Sequence, residues 1–493
     1  MMFEQETKNY QEEMISHLQQ LIQIPSVNGT ASLGKPFGDG PDHALNYLLA
    51  LGNELGFKTK NIDGYCGYIE FGDGPEMVGI IGHLDVVPEG ENWTYPPFSA
   101  TLADGKIYGR GAIDDKGPVI ASIYAMKAVK DYCERENITL SKRVRLIVGL
   151  NEEKDWKCIE YYQSHEEMPT IGFSPDADFP CIYAEKGILT EFFSMDYSSF
   201  MRESKSPMAI TLSHLEDNGN AINVVPRLAS AVIYVNRDYI SQEKVLSMIS
   251  SLLEKEPCAP ISWEEDVTLG TFEVVPLNEN EIKITSYGVQ AHAAHPDLGV
   301  NAISPLVVLL TDLFREVNGQ DQEIPIFSFF TEKIGIDFSG LRCGIDSEDE
   351  SGKLTLNVGK LSFDGNTISI GCNLRIPVSV ELMTIHQKFL EMIKPYSFVE
   401  IGKTETNDPL YVSPDSPLVQ TLCDIYQETT GVKEKPIAIG GATYARAFPN
   451  CVSFGANLPG QKDMCHQSDE YVSIDNLNLA NLIYARAVFA LGK

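Results

Sequence analysis

The sequence predicts an α/β protein whose first domain is interrupted by a separate α+β insertion. Three observations lead there. Over roughly the first 187 residues, helical patterns alternate with short apolar runs, as in a mostly parallel sheet flanked by helices. From about residue 188 to 380 the pattern changes to period-two alternation, typical of antiparallel strands. The last part of the chain returns to α/β character. The expected division is therefore 1–187, 188–380 and 381–493, the outer two segments forming one discontinuous domain. A length of 493 residues agrees, being too great for one ordinary core.

In chain order, residues 41–56 read as an amphipathic helix, with Pro41 near its start and Gly56 at its end. Residues 77–82 are a continuous apolar run, the signature of a strand buried on both faces. Residues 117–134 are again helical, 143–150 strand-like, and 171–173 a shorter strand. In the insertion, 209–215, 229–235, 281–287, 354–358 and 367–375 alternate as strands, while 242–254 and 301–316 have helical spacing.

Composition narrows the function. The 69 Asp and Glu outnumber 38 Lys and Arg, giving a net charge of −31, which repels phosphate backbones and anionic lipid. Neither nucleic-acid nor membrane binding is expected. No apolar run approaches the ~20 residues a spanning helix needs, and the polar first 20 residues lack a signal-peptide core. The ten cysteines are dispersed without a C-x-x-C pair, so buried thiols in a cytoplasmic protein are expected.

Five residues of metal-ligating type stand in suggestive local settings. His83, in Gly82-His83-Leu84-Asp85, follows one apolar strand directly. Glu152-Glu153 follow another, and Asp176, in Ser174-Pro175-Asp176, follows a third. In open α/β sheets, sites collect beyond the carboxyl ends of the strands. Asp114 lies in the Gly-rich turn Gly109-Arg110-Gly111-Ala112-Ile113-Asp114-Asp115-Lys116-Gly117 ahead of a helix, where a carboxylate is electrostatically favoured. Asp114 or Asp115 could equally serve there. His466, in Cys465-His466-Gln467-Ser468-Asp469-Glu470, completes the set; a thiolate role for Cys465 is disfavoured beside so oxygen-rich a group. Two imidazoles and three carboxylates suffice for two ions only if one carboxylate bridges them, about 3.5–4 Å apart.

Spacing i, i+2 puts His83 and Asp85 on one face of an extended segment, so Asp85 is expected to hold one ring nitrogen of His83. Two adjacent acids repel unless one meets a cation. The natural division is Glu153 on metal and Glu152 free as general base. Within the insertion, His292 and His295, Asn223 and Arg375 are ordinary taken singly, although an arginine suits a carboxylate clamp. Gly440-Gly441-Ala442-Thr443-Tyr444-Ala445-Arg446 is a turn that could offer main-chain N–H groups to a ligand; it is neither a P-loop nor a dinucleotide motif.

In combination, His83-Leu84-Asp85, Gly109 to Gly117, Glu152-Glu153, Ser174-Pro175-Asp176, Gly288 to Pro296 and the region of His466 resemble the M20 metallopeptidase family, over nearly the whole chain. The likeness is greatest to its PepV-type dipeptidases. The resemblance implies a zinc-peptidase-like mixed sheet with helices on both faces, carrying the insertion as a lid. It implies one ion on His83, Asp114 and Asp176, and a second on Asp114, Glu153 and His466. It further implies Glu152 as general base and then proton donor, Asp85 behind His83, His292 at the oxyanion, and Asn223 with Arg375 on the substrate's terminal carboxylate. The implied reaction is hydrolysis of short peptides, dipeptides above all, by a monomer with two divalent ions: Zn²⁺ first, Mn²⁺ or Co²⁺ as substitutes. Another activity of the family on N-acyl amino acids (aminoacylase, deacetylase or carboxypeptidase) is the alternative, and a silent peptide-binding protein a remote one. Asn151, where many relatives carry Asp, and Lys154-Asp155 depart from the common pattern without removing a ligand.

Overall fold

The computed structural model describes residues 2–204, 206–219, 221–254 and 271–493. They form two compact units, Met1–Glu185 with Leu410–Lys493, and Lys186–Pro409.

Among the described residues, the first unit carries a nine-stranded mixed sheet. Its path runs Lys58–Ile62, Cys66–Phe71, Lys142–Gly149, Glu76–His83, Ile171–Ser174, Cys451–Ser453, Ile182–Glu185 and Leu410–Tyr411, with Ile437–Ile439 pairing beside Ile182–Glu185. At its centre Glu76–His83 lies parallel to both Lys142–Gly149 and Ile171–Ser174. Their inner stretches, 77–82 and 146–149, are continuous apolar sequence because helices cover both faces. Gly82 faces Val119 of the Lys116–Glu136 helix, so closely that a Cβ there would come within 2.6 Å of its methyl carbon. On the other face, Gly149 lies against the ring of Tyr444, and Arg145 donates to Tyr162 on the Lys157–His165 helix. The expected α/β architecture with helices on both faces is present, and the elements expected at 41–56 and 117–134 run Asp39–Glu54 and Lys116–Glu136.

The second unit is built on an eight-stranded antiparallel sheet ordered Thr271–Asn278, Glu281–Tyr287, Leu228–Val235, Ile210–Glu216, Thr355–Phe363, Thr367–Ile376, Gly187–Asp196 and Val399–Asn407. Strand alternation decides which residues meet the helices. Cys372, Leu374 and Ile376 point into a core shared with Phe314 and Phe327, whereas Asn373 and Arg375 occupy the opposite face of their strand. The expected boundary at residue 380 moves to Pro409. Leu382–Ile393 buries Leu382, Ile385 and Phe389 in this core, and Val399–Asn407 pairs with Gly187–Asp196. Among the described residues no helix is long and apolar enough to cross a membrane.

Candidate metal centre

The first unit places the five predicted ligands together. His83 ends its strand, and the register sets it opposite Gly149, so the segment carrying Glu152 and Glu153 leaves the sheet beside it. Asp176 follows the neighbouring parallel strand, Ile171–Ser174. Asp114 stands just before the Lys116–Glu136 helix, and His466 comes from a turn where its own φ is 63°. The carboxylate of Asp114 divides between the two imidazoles: Oδ1 is 3.0 Å from His83 Nε2, and Oδ2 is 3.0 Å from His466 Nε2. His83 Nε2 also lies 3.5 Å from Asp176 Oδ2, and His466 Nε2 lies 3.1 Å from Glu153 Oε1.

These spacings fit metal ligation. Two donors about 2.0–2.2 Å from one tetrahedral ion stand roughly 3.3 Å apart. Donor atoms within 4.8 Å of one another group as His83, Glu152 and Asp176, and as His83, Asp114 and Glu153. Glu152 thus lies at ligand range of His83 and Asp176, but the 3.1 Å contact with His466 singles out Glu153 as the partner of the second imidazole.

Electrostatics agrees with the donor set. Burial drives the carboxyls of Glu152, Glu153 and Asp176 upward, with neighbouring carboxylates adding to the effect. Burial opposes the charge of His466, yet its hydrogen bonds to Asp114 and Glu153 lift it to about 11. A crowded group of acids that can ionise together only beside added positive charge is what a divalent cation satisfies.

The choice left open between Asp114 and Asp115 is resolved in position. Asp115 Oδ2 accepts from the main-chain N–H of His83 at 3.1 Å and does not stand between the imidazoles. Asp85 lies beside His83 through both its main chain and its side chain. Nδ1 of His83 meets the main-chain carbonyl of Asp85 at 2.9 Å, while the carboxylate is 3.6 Å away. That carboxylate also accepts from the N–H groups of Glu152 at 3.0 Å and Glu153 at 3.2 Å, because their turn folds over it.

Other groups pack around the centre. Arg110 and Glu470 form a buried pair at 2.6 Å. The Lys116 ammonium, pulled down to about 7 by burial, donates to the carbonyl of Ile24. The turn at Gly440–Arg446 is anchored inward: Glu185 accepts from the Thr443 N–H at 3.1 Å and from Arg446 Nε at 3.0 Å. Tyr444 from this turn approaches the edge of His83, with ring centres 6.2 Å apart. Burial pushes the Cys465 thiol upward.

The remaining predicted residues belong to the second unit. Asn223 and His292 come together there through a short antiparallel ribbon, Val224 opposite His292 and the Asn223 carbonyl accepting from Ala293 at 2.9 Å. His292 Nδ1 accepts from the Ala294 N–H at 3.2 Å, which leaves Nε2 to carry the proton of the neutral ring. Arg375 is buried, and its Nε donates to Asn373 Oδ1 at 3.0 Å.

Comparison with known proteins agrees with this architecture. Residues 79–490 match the model of peptidase family M20/M25/M40. A Bacillus subtilis (strain 168) protein named "Putative dipeptidase YtjP" is 40% identical over 497 residues, covering 100% of both chains. "Putative dipeptidase SH1171" of Staphylococcus haemolyticus is 34% identical over 501 residues, covering 99% of each. Among solved structures, human carnosine dipeptidase 1 superposes with a TM-score of 0.56 at 14% identity, over 100% of this chain and 99% of that one. The M20 family metallo-carboxypeptidase Sso-CP2 of Sulfolobus solfataricus gives 0.54 at 16% identity, over 97% and 98%. At such identities the two structures speak for the fold alone. With the family model matched over most of its length, this chain belongs to peptidase family M20/M25/M40.

Proposed function

We propose that this peptidase hydrolyses dipeptides with two divalent ions held in its first unit. The observation that carries the reading is the Asp114 carboxylate, with one oxygen 3.0 Å from each of two imidazoles. His83, Asp114 and Asp176 would hold one ion, and Asp114, Glu153 and His466 the other. The donor set suits Zn²⁺, with Mn²⁺ or Co²⁺ as alternatives. Bound in such a pair of sites, divalent ions polarise a carbonyl and bring the pKa of water toward neutrality.

Glu152 takes the proton of the attacking water and returns it to the leaving amine. Its burial, which raises its affinity for a proton, supports this double role. Asp85 holds the Glu152 main chain and so aims the base. From the second unit, His292 Nε2–H donates to the developing oxyanion, in keeping with the tautomer its Nδ1 contact selects. Arg375, with Asn223, takes the free carboxylate of the substrate and restricts it to very short peptides. If the His292 that acts comes from the same chain, the working form would be a monomer.

The test is an assay of metal-free protein given Zn²⁺, Mn²⁺ or Co²⁺ with dipeptides, tripeptides and N-acetyl amino acids. Metal-dependent cleavage of unblocked dipeptides is expected. Preference for the blocked amino acids would transfer the site to amidohydrolysis, and absence of turnover with all three metals would refute the reading.

A further inference from the structure

The two proposed ions are not held by equally rigid parts of the chain. His83 ends a central sheet strand, and Asp176 stands two residues beyond its parallel neighbour. Asp114 and His466 lie in turns distant in sequence, outside the regular strands and helices. One buried pair ties these turns together. Arg110 and Glu470 are separated by 360 residues, and their side chains are 2% and 0% exposed.

Arg110 Nη1 donates to Glu470 Oε2 at 2.6 Å. The other Glu470 oxygen accepts from the main-chain N–H of Ile113 at 3.0 Å and of Asp114 at 3.3 Å. Arg110 also donates to the carbonyls of His466 at 3.4 Å, Gln467 at 3.3 Å and Glu89 at 3.3 Å. The Gly109 N–H meets the Glu470 carbonyl at 2.9 Å. One carboxylate therefore grips the Asp114 backbone while its guanidinium partner grips the His466 backbone.

A buried ion pair is poor value for stability alone, since desolvating both charges consumes most of their attraction. The two Nη groups of Arg110 and the two oxygens of Glu470 act here as a planar brace with fixed directions. We propose that Arg110 and Glu470 are positioning residues that set the spacing between Asp114 and His466, and with it the affinity for the ion shared by Asp114, Glu153 and His466. The ion on His83, Asp114 and Asp176 keeps two ligands at or just beyond the ends of sheet strands and depends on the brace less. This inference rests on the two-metal reading above.

The test is Zn²⁺ titration calorimetry on metal-free full-length protein. Arg110→Lys and Glu470→Gln are made separately, so either carries the test if the other fails to fold. His466→Ala identifies which binding event belongs to the braced site. Arg145→Lys is the control, because Arg145 makes a comparably buried pair with Glu70 at 2.7 Å without touching a ligand segment.

Loss of an outer partner of a metal ligand costs about 10–100-fold in affinity. That loss is expected in both variants for the event His466→Ala removes, with the other event within about threefold of wild type and both events intact in Arg145→Lys. Unchanged affinities in the folded variants would overturn the inference. So would equal weakening of both events, the mark of general loosening. A wild-type protein that takes up fewer than two ions would instead overturn the two-metal reading, a separate failure seen before any variant is made.

Discussion

Replacing Asp85 tests how the paired glutamates are held. Its carboxylate is fully buried and receives the N–H groups of Glu152 at 3.0 Å and Glu153 at 3.2 Å, with the Asn28 amide at 3.3 Å. Each charge-assisted bond is worth about 1.5–3 kcal/mol. Asp85→Ala leaves two main-chain donors without their partner, and about 3–6 kcal/mol of stability should be lost. Asp85→Asn keeps one acceptor oxygen and turns an amide donor toward the second N–H, so about 1.5–3 kcal/mol should go. The same change displaces Glu152, and misplacing a catalytic group by about 1 Å costs on the order of 10²-fold in rate. Denaturant unfolding of metal-free protein, together with kcat for a dipeptide, reads both effects. If Asp85→Asn stays within 0.5 kcal/mol (about the scatter of neutral surface changes) and keeps kcat within a factor of two (roughly 0.4 kcal/mol), the Asp85 carboxylate does not organise this turn.

Two further outcomes are expected. Arg375→Ala should raise KM for dipeptides about 10- to 150-fold, the equivalent of one charge-assisted bond of about 1.5–3 kcal/mol. Dipeptide amides, lacking the carboxylate, should be hydrolysed no worse than before, and an equal loss on both substrates would remove Arg375 from carboxylate binding. Asp196 caps the Tyr197–Glu203 helix, and hydrogen bonds from the Ser199 hydroxyl, the Ser199 N–H and the Ser198 hydroxyl hold its carboxyl down to about 2. A carboxyl depressed below its unfolded value of about 3.9 stabilises the fold above that pH, and the contribution disappears as pH falls through 4 toward 2. The stability gap between wild type and Asp196→Asn should therefore shrink over that interval; a constant gap would contradict the assignment.

The strands that lead into the candidate ligands were legible because a strand buried on both faces is continuous apolar sequence, as at Met77 to Gly82, and a polar residue directly after it stands out. The second boundary was not. Leu382–Ile393 and Val399–Asn407 look locally like another helix and strand, and only the pairing of Val399–Asn407 with Gly187–Asp196, some 200 residues earlier, assigns them to the insertion. Arg110 and Glu470 stood inside quoted motifs, yet a buried charge and a solvated one are the same letters. Their burial follows from contacts 360 residues apart. Asp85 shows a finer limit. Spacing i, i+2 correctly set it beside His83, but whether the ring meets its carbonyl or its carboxylate depends on the path of the Glu152-Glu153 turn.

The most direct measurement is the metal content and dipeptide turnover of Glu152→Gln in parallel with wild type. Two ions per chain are expected in both proteins, with kcat lowered about 10²–10⁴-fold in the variant, the usual contribution of a general base. Turnover close to wild type, or loss of an ion along with the carboxylate, would contradict that role by making Glu152 a bystander or a ligand.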